Sequence, residues 1–278
     1  MAMMTAKRLT AGESVESEES RAKAMRGVQL GDLTWPEAKT WIDAGRVVVI
    51  PIGAAAKEHG HHLPLKTDQL LAEALANGVA AALPVVVAPV VSFGYYPAFR
   101  HYPGSQHLAP ETFSALLRDI FEGFIAQGAR RLAVINTGVS TEAPLRIVVR
   151  EIYERHRVRI ATADIVRVGR KADIVLGQKL GGHADEHETS LLMAIAPQSV
   201  RLDRAVTDYG HTLDAPKTVF YLPTIFDGDP NSGADYSAAG ARGDPTLATA
   251  EKGRAILEAS IRDLVDGLRA LYPDAFGN

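Results

Sequence analysis

Short apolar runs rich in Val and Ile alternate along this chain with longer segments that repeat apolar residues every three or four positions. The short runs end at Gly or Pro, which is typical of buried strands, and the longer segments have the period of helices that bury one face. This alternation predicts a parallel sheet covered by helices. The predicted strands cover residues 47–52, 85–91, 132–136 and 160–166, and the predicted helices cover residues 68–82, 110–127, 141–156 and 248–271.

The pattern is lost at the N-terminus and again over residues 209–242. Residues 1–26 mix acidic and basic side chains and have no apolar stretch like that of a secretion signal, so we expect a mobile tail, followed by one domain over 27–278. Residues 209–242 are rich in Gly, Asp, Pro and Asn, which predicts an irregular, functional or packing loop. No stretch approaches the roughly 20 apolar residues that span a bilayer, so a cytoplasmic protein is expected.

The composition limits the chemistry more than the fold. Of 278 residues, 46% are hydrophobic and 23% are charged, and the formal net charge of -3 gives no electrostatic reason to expect nucleic acid or a membrane as a partner. The chain has no Cys and therefore no disulfide and no thiolate. Any metal ion must bind to His and carboxylate side chains.

The densest polar cluster is KEHGHHLPLKTD, residues 57–68, which follows the first predicted strand. Ligands bind at the carboxyl ends of strands in open α/β sheets. Lys57 and His59 are two positions apart and face one side of an extended chain, while Glu58 faces the other. Asp68 begins the next helix, so its carboxylate and the imidazole of His59 form half of a divalent metal site. The neighbouring His61 and His62 are open to a simpler interpretation as polar loop residues.

A second cluster, HADEHETS, residues 183–190, precedes a short apolar helix. His183 and His187 are one helical turn apart, with Glu186 beside them, so the segment also fits the HxxEH pattern of zinc proteases. The alternative is an acidic helix start with an exposed His187.

Two further segments follow predicted strands. In INTGVST, residues 135–141, the Asn, Ser and Thr side chains are suited to cap a helix or to bind a substrate oxygen, and capping alone is the favoured role of Thr141. The aromatic segment 93–105 is suited to a pocket wall. The sequence has no GxGxxG, Walker A or GxSxG motif, which argues against nucleotide binding and serine hydrolysis.

Taken in order, these segments resemble the creatininase (creatinine amidohydrolase) family over about residues 35–268. The matching segments are Pro51-Ile52-Gly53 with HGHHLPLKTD, Tyr102-Pro103-Gly104-Ser105, INTGVST, HADEHETS and Gly243-Asp244-Pro245-Thr246 followed by Glu251-Lys252-Gly253. The resemblance implies a three-layer α/β/α sandwich with a mainly parallel central sheet, a homo-oligomer that is often a hexamer, and a two-metal hydrolytic site.

The resemblance also implies roles for individual residues. His59 falls on a metal-ligating histidine and Asp68 on the carboxylate that bridges both metals. His183 falls on the histidine beside the substrate, which we take as the acid/base, and Glu188 on the acid of the ETS element. We place Glu188 with Ser140 and Tyr96 in the substrate-binding group.

The departures from the family pattern are as informative as the matches. The first acidic ligand is replaced by Lys57, and the histidine of the family's NGHGGN motif is replaced by Gly138. We therefore hypothesise that one metal subsite is lost and that the Lys57 ammonium takes the place of a cation beside Asp68. The chain would then hold one zinc or manganese ion or none. The competing hypothesis is that Glu58 restores the missing ligand.

Two functions from different classes follow. The first is hydrolysis of a C–N bond in a small cyclic amide, formamide or related amide, with His59 and Asp68 at the reduced metal site and His183 as acid/base. The second is a family member without hydrolysis, a metal-independent lyase or isomerase or a small-molecule binding protein, using His183, Ser140 and Lys57. A zinc protease of the HxxEH type is a third. Creatinine is not the expected substrate, because Ser140 replaces an acid found in creatinine-hydrolysing members.

Overall fold

One parallel sheet organises the computed structural model, which describes residues 26–210, 219 and 227–276. The sheet order is β1-β3-β2-β4-β5, and every neighbouring pair is parallel. The strands are β1 (Val28–Gln29), β2 (Val48–Ile52), β3 (Val86–Val87), β4 (Leu132–Asn136) and β5 (Ile160–Asp164). The helices are α1 (Trp35–Asp43), α2 (Thr67–Ala82), α3 (Pro110–Ala126), α4 (Glu142–His156), α5 (Glu186–Ile195), α6 (Ala250–Leu271) and α7 (Pro273–Phe276).

Alternating side chains of the central strands supply two separate core layers. Val48, Ile50 and Ile52 pack in one cluster with the apolar faces of α3 and α4. Val47 and Val49 pack in the other cluster with α2 and α6. Because strand side chains alternate between faces, β2 must be apolar throughout, and it is fully buried. The predicted α/β fold, a three-layer sandwich in one domain, is confirmed.

The third predicted strand is the clearest error in the predicted elements. Residues 85–91 read as one strand, but β3 contains only Val86 and Val87. Pro89 has no amide hydrogen for the sheet, and the chain returns to β2 only at Val91, whose amide donates to Pro51 O at 2.9 Å. The fourth predicted strand, 160–166, ends two residues early, at Asp164.

Two N-terminal elements were missed by the sequence prediction. The first is β1, which is two residues long and too short to show a pattern. The second is α1, which begins after Thr34 with Pro36 in its first turn and a capping box between Thr34 and Glu37. The sequence TWPE carries that signal.

The tail and loop predictions fall partly outside the described residues. The predicted tail lies there except for Arg26, as do residues 211–218 and 220–226 of the predicted loop. The described part of that loop contains a 3-10 turn over Pro230–Asp235 and no longer element. None of the helices in the described ranges combines the length and the apolar character that a bilayer crossing needs.

The register of the sheet brings the ends of three strands together. Ile52 of β2 lies beside Asn136 of β4, which lies beside Asp164 of β5. The loops that leave β2 and β4 therefore emerge side by side at the carboxyl edge, where α/β proteins bind ligands.

Candidate functional site

The loop between β2 and α2 is folded tightly against the start of its own helix. Gly53 packs directly on the carbonyl oxygen of Asp68, so that any β-carbon at position 53 would collide with backbone. Farther along the loop, the Lys57 amide donates to Leu65 O at 2.9 Å. These contacts bring the side chains of Lys57 and His59 to the first turn of α2, where Asp68 lies.

Lys57, His59 and Asp68 form a buried charged cluster. Lys57 Nζ lies 2.7 Å from Asp68 Oδ2, and the two side chains are only 6% and 2% exposed. His59 Nε2 lies 2.9 Å from Asp68 Oδ1, and His59 Nδ1 lies 2.9 Å from Lys57 O. Burial by itself would raise the pKa of the Asp68 carboxyl, but Lys57 and His59 outweigh it and hold that pKa below its usual range. The Asp68 carboxylate therefore stays charged and forms an ion pair with the Lys57 ammonium.

Aromatic rings enclose the Lys57 ammonium on its other side. Lys57 Nζ lies 4.7 Å from the ring centroid of Phe99 and 5.5 Å from that of Tyr96, within the range of cation–π attraction. The Tyr96 hydroxyl is buried without a hydrogen-bond partner among the described residues. Burial raises the pKa of Tyr96 far above its ordinary value, so the phenol stays neutral.

The Tyr96 ring packs against Gly138, in space that is open because Gly138 has no side chain. A β-carbon on Gly138 would lie 2.7 Å from Thr141 Oγ1 and 3.2 Å from a ring carbon of Tyr96. A larger side chain at position 138 thus requires Tyr96 to move. The glycine and the tyrosine fit together, and the position that the family resemblance gave to a histidine is closed.

Replacing Gly138 by Ala is expected to lower the free energy of unfolding by about 1–3 kcal/mol, because the added methyl group overpacks this contact. Gly123→Ala on α3 is the matched control, since a β-carbon there meets nothing within 4 Å. That control should be neutral or stabilising by up to about 1 kcal/mol. Urea denaturation of both variants checks the prediction, and equal stabilities would contradict it.

His183 lies on the opposite side of the cluster. Its Nε2 donates to the backbone carbonyl of Glu58 at 2.9 Å and lies 3.3 Å from Glu58 Oε2, and its Nδ1 lies 3.7 Å from Glu188 Oε2. Its ring centroid is 4.7 Å from that of His59 and 4.6 Å from that of Phe99. Burial lowers the pKa of His183 to about 3, so the imidazole is neutral near pH 7.

Glu58 is a functional candidate that the sequence analysis missed. The sequence suggested it only as a possible replacement for the missing metal ligand. Its carboxylate lies beside His183 and accepts from the Gly60 amide, while Asp68 is taken by Lys57 and His59. Burial raises the pKa of Glu58 to about 7, which places its proton transfer near neutral pH. In the sequence Glu58 stands between Lys57 and His59, which gives no sign of burial, and only the fold shows its neighbours.

Residues 237–242 cover the side of the cluster on which Glu58 lies. Gly240 has a φ of +62° and packs directly on Glu58 Oε1, so a side chain there would displace the carboxylate. Tyr102 donates from its hydroxyl to Ser237 O at 2.7 Å and holds the same segment against the aromatic loop.

Three of the described side chains present possible metal-ligating atoms close to one another. Those of His59, His183 and Glu188 all lie within 4.8 Å of each other. Two imidazoles and a carboxylate are donors that zinc and manganese accept. The residues present therefore fit a divalent metal ion, and His187 is not among them.

The structure places the remaining predicted residues in supporting positions. Ser140 donates from its hydroxyl to Tyr95 O at 2.8 Å, so that hydroxyl is held by the aromatic loop. His62 Nε2 lies 2.8 Å from Thr189 Oγ1, and His61 Nε2 lies 3.1 Å from Ala238 O.

Two sequence interpretations are corrected at this site. Thr141 occupies the residue before α4, but its hydroxyl contacts Asn136 Oδ1 and Gly138 O, each at 2.6 Å, and caps no helix amide. The HxxEH pattern is equally incidental. Glu186 is fully buried in an ion pair with Lys252, and His187 Nε2 lies 3.8 Å from Asp173, so neither faces His183.

A three-layer α/β/α fold with a buried cluster of His, carboxylate and Lys side chains at the carboxyl edge of its sheet is the arrangement of an α/β enzyme whose site can bind a metal ion. The sequence model of the family described as creatinine amidohydrolase matches residues 31–268. The chain therefore belongs to the creatininase family, and the predicted enzyme class, an amidohydrolase of that family, is confirmed.

Two relatives illustrate the range of the family. A creatinine amidohydrolase from Pseudomonas putida is 29% identical over 267 residues, covering 89% of this chain and 98% of that protein. A mycofactocin precursor peptide peptidase from Mycobacterium tuberculosis is 31% identical over 247 residues, covering 83% of this chain and 87% of that protein. Both names describe enzymes that cleave an amide C–N bond.

Solved structures agree with the fold and bear on the metal. A structure described as "Creatininase Mn" has a TM-score of 0.74 and 27% identity, and the match covers 89% of this chain and 99% of that one. A mutant creatininase described as the Zn-Zn type has a TM-score of 0.73 and 26% identity with the same coverage. Manganese and zinc are thus the metals of these neighbours.

Proposed function

We propose that this protein hydrolyses a C–N bond in a small amide, such as a cyclic amide or a formamide. The observation that carries the proposal is the convergence of Lys57, His59, Asp68, Glu58 and His183 in one buried cluster at the carboxyl edge of the sheet. A site of this kind offers fixed positive charge for a developing oxyanion and a carboxyl group for proton transfer.

We further propose that the cluster holds at most one metal ion, on the side of His59. Lys57 supplies a permanent charge beside Asp68, and the Tyr96 ring closes the space next to Gly138. A bound zinc or manganese ion would add Lewis-acid polarisation of the amide oxygen. The Lys57 ammonium contributes the second positive charge without a second metal.

Proton transfer is assigned to Glu58, with His183 as its positioning partner. The Nε2–H of His183 donates to the Glu58 carbonyl and lies within 3.3 Å of the Glu58 carboxylate. This contact fixes the imidazole and the carboxyl group relative to each other. Burial lowers the pKa of His183 to about 3 and raises that of Glu58 to about 7, so the carboxyl group is the better matched of the two to exchange a proton with the departing nitrogen near neutral pH, and His183 holds it in position.

The buried Lys57–Asp68 ion pair also supports a second candidate, a family member without hydrolysis. An ion pair of this kind can hold a polar small molecule with no metal present. Such a protein would be a lyase, an isomerase or a binding protein acting through Lys57, Ser140 and His183. It would bind small amides or related molecules and release neither amine nor ammonia.

The test combines metal analysis with an amide panel. Protein purified without chelator is analysed for metal by mass spectrometry and then assayed for amine or ammonia release from cyclic amides, formamides, creatinine and short peptides. We expect no more than one equivalent of zinc or manganese per chain and turnover that is lost on chelation and restored by the metal. Two equivalents per chain would contradict the single-metal proposal, and metal-loaded protein that binds panel members without cleaving them would favour the second candidate.

A further inference from the structure

The amino edge of the sheet, opposite the candidate site, carries a group of arginines. The first residues of all five strands align in one row across the sheet, because every neighbouring pair is parallel and in register. The loops that enter three of these strands, β2, β4 and β5, therefore bring their side chains to the same edge. We call the arginines of these loops the arginine cluster: Arg46, Arg130, Arg131, Arg157 and Arg159.

The arginines that precede β2 and β4 are held by neutral backbone groups. Arg46 Nη1 donates to Ala275 O at 3.1 Å, and Arg131 Nη1 donates to Gly45 O at 2.6 Å. Arg130 Nη1 donates to two backbone carbonyl groups close before it in the chain, each at 2.9 Å. These carbonyl groups fix the guanidinium groups in place without neutralising their charge.

The other two arginines of the cluster lie against one tyrosine at the end of α4. The guanidinium groups of Arg157 and Arg159 lie 5.5 and 5.7 Å from the ring centroid of Tyr153. Arg157 follows α4 with a φ of +56°, a left-handed conformation that is usual for glycine and disfavoured by a β-carbon. Hydrogen bonding and charge from Arg159, and then from Arg157, lower the pKa of the Tyr153 hydroxyl, as expected at a surface of positive potential.

The arginine cluster has no acidic counter-charge in the part of the chain that the structure describes. None of its guanidinium groups lies within ion-pair distance of a carboxylate there. Exposed arginines on the body of α4 differ in this respect, since Arg146 pairs with Glu142, and Arg155 lies 3.2 Å from Glu122. Like charges that are not compensated repel one another, so the surface of the arginine cluster favours an anionic occupant.

An acidic stretch of this chain comes shortly before the point where the chain enters the same edge. ESVESEES, residues 13–20, contains four Glu and no basic residue. The described chain enters the sheet at Gly27, whose amide donates to Ala80 O at 2.7 Å and which packs directly on backbone oxygens. Because β1 is parallel to the other strands, Gly27 lies at the amino edge and not at the edge of the candidate site.

The length of chain between the acidic stretch and the sheet is sufficient for contact. Arg26 is seven residues after Glu19, and seven residues span up to roughly 23 Å when extended. Four strand spacings of about 4.8 Å place β5, the strand farthest from β1, about 19 Å away. Exposed ion pairs are individually weak, but a tethered segment acts at an effective concentration on the order of millimolar.

We propose that residues 13–20 dock on the arginine cluster of the same chain, through ion pairs between their Glu side chains and the exposed members Arg130, Arg157 and Arg159. The docked stretch occupies a surface that otherwise attracts a foreign polyanion. Docking is reversed by salt, because the screening length falls from about 10 Å at 0.1 M to about 3 Å at 1 M. The opposite edge of the sheet holds the candidate site, so this inference is independent of amide hydrolysis.

The distance between two spin labels tests the docking in the full chain. The chain has no Cys, so labels attach only to the introduced Ser17→Cys, in the acidic stretch, and Gln127→Cys, three residues before Arg130. At low salt we expect a short and narrow distance distribution, which becomes long and broad in 1 M salt. Two charge variants should give the long, broad distribution at low salt as well. The first carries Glu13→Gln, Glu16→Gln, Glu18→Gln and Glu19→Gln, and the second carries Arg130→Gln, Arg157→Gln and Arg159→Gln.

A matched control removes three exposed arginines that have their own carboxylate partners. It carries Arg146→Gln, Arg155→Gln and Arg170→Gln, and it should keep the distance distribution of the parent chain. A broad distribution in the parent chain at low salt, or a narrow one in both charge variants, would overturn the proposal. Circular dichroism confirms that each variant is folded.

Dilution identifies the chain to which the acidic stretch binds. Doubly labelled chain mixed with an excess of unlabelled parent chain should keep the short distance, because both labels are on one molecule. Loss of the short distance on dilution would show that the stretch docks on a second copy, and would refute docking within one chain.

Added anions test whether the arginine cluster is already occupied. The parent chain and the Glu→Gln variant are titrated at low salt with a fluorescent peptide of eight Glu residues and with a single-stranded DNA oligonucleotide. The Glu→Gln variant should bind the peptide at least about tenfold more tightly than the parent chain, since its own stretch no longer competes. Adding the three substitutions of the arginine cluster should remove that gain. A parent chain that binds either probe as tightly as the variant does would show that the arginine cluster is open to a foreign partner, and would refute the proposal.

Discussion

Asp68→Asn is expected to lower the free energy of unfolding by about 3–5 kcal/mol, because it leaves the Lys57 ammonium buried without its counter-charge. The side chain of Lys57 is only 6% exposed, and its other neighbours are the rings of Phe99 and Tyr96, which cannot replace a carboxylate. Turnover should be abolished as well, since the fixed charge arrangement of the site is gone. Chemical denaturation and an amide hydrolysis assay measure the two effects separately.

The control for this prediction is the double variant that combines Lys57→Met with Asp68→Asn. Removing both charges leaves no uncompensated ion, so a large part of the lost stability should return, while turnover stays absent. Two results would contradict the interpretation. One is an Asp68→Asn protein as stable as the parent chain, and the other is a double variant that is active.

The sequence predicted the fold well where local pattern and global packing agree. Leu132–Asn136 was predicted to the residue, because a strand buried on both faces must be apolar along its whole length and is then stopped by a polar residue. The apolar run over 85–91 has the same composition, yet its pairing is interrupted at Pro89. Whether the backbone of an apolar residue pairs in a sheet depends on the neighbouring strand. The apolar run alone gives no information about that strand.

The candidate site was predictable in part for the same reason. His59 and Asp68 are ends of one loop, so their convergence follows from spacing along the chain. The approach of Tyr96 to Gly138 joins distant loops, and that of Glu188 to His59 joins a loop to a helix more than a hundred residues away. Such contacts are fixed by the packing of whole layers, and no local pattern encodes them.

Glu58 shows how burial changes the chemistry of a residue that looks ordinary in sequence. Between Lys57 and His59 it reads as the outward member of an alternating polar run. In the structure its carboxyl group is enclosed by Gly60, Gly240 and His183, and this enclosure gives it the properties of an acid/base group. The role depends on the loops around Glu58 and not on its neighbours in the chain.

Glu58→Gln is expected to reduce kcat by about 100- to 10,000-fold, the range typical for loss of a general acid or base. The amide oxygen of Gln can still accept from the Gly60 amide, and the side chain keeps its size, so stability should change little. Zinc affinity should also be unchanged, because Glu58 is not among the side chains whose possible ligating atoms lie close together. Steady-state kinetics of the zinc-loaded variant measures the effect.

Glu73→Gln on α2 is the matched control, since Glu73 accepts from Gln69 one helical turn away and takes no part in the cluster. It should keep the kcat of the parent chain. The combination expected of Glu58→Gln, a large loss of kcat with stability and zinc affinity retained, distinguishes a proton-transfer group from a metal ligand, whose loss would lower both kcat and affinity. Parent-like turnover in Glu58→Gln would show that the proton moves through another group, and His183 would then be the residue to replace next.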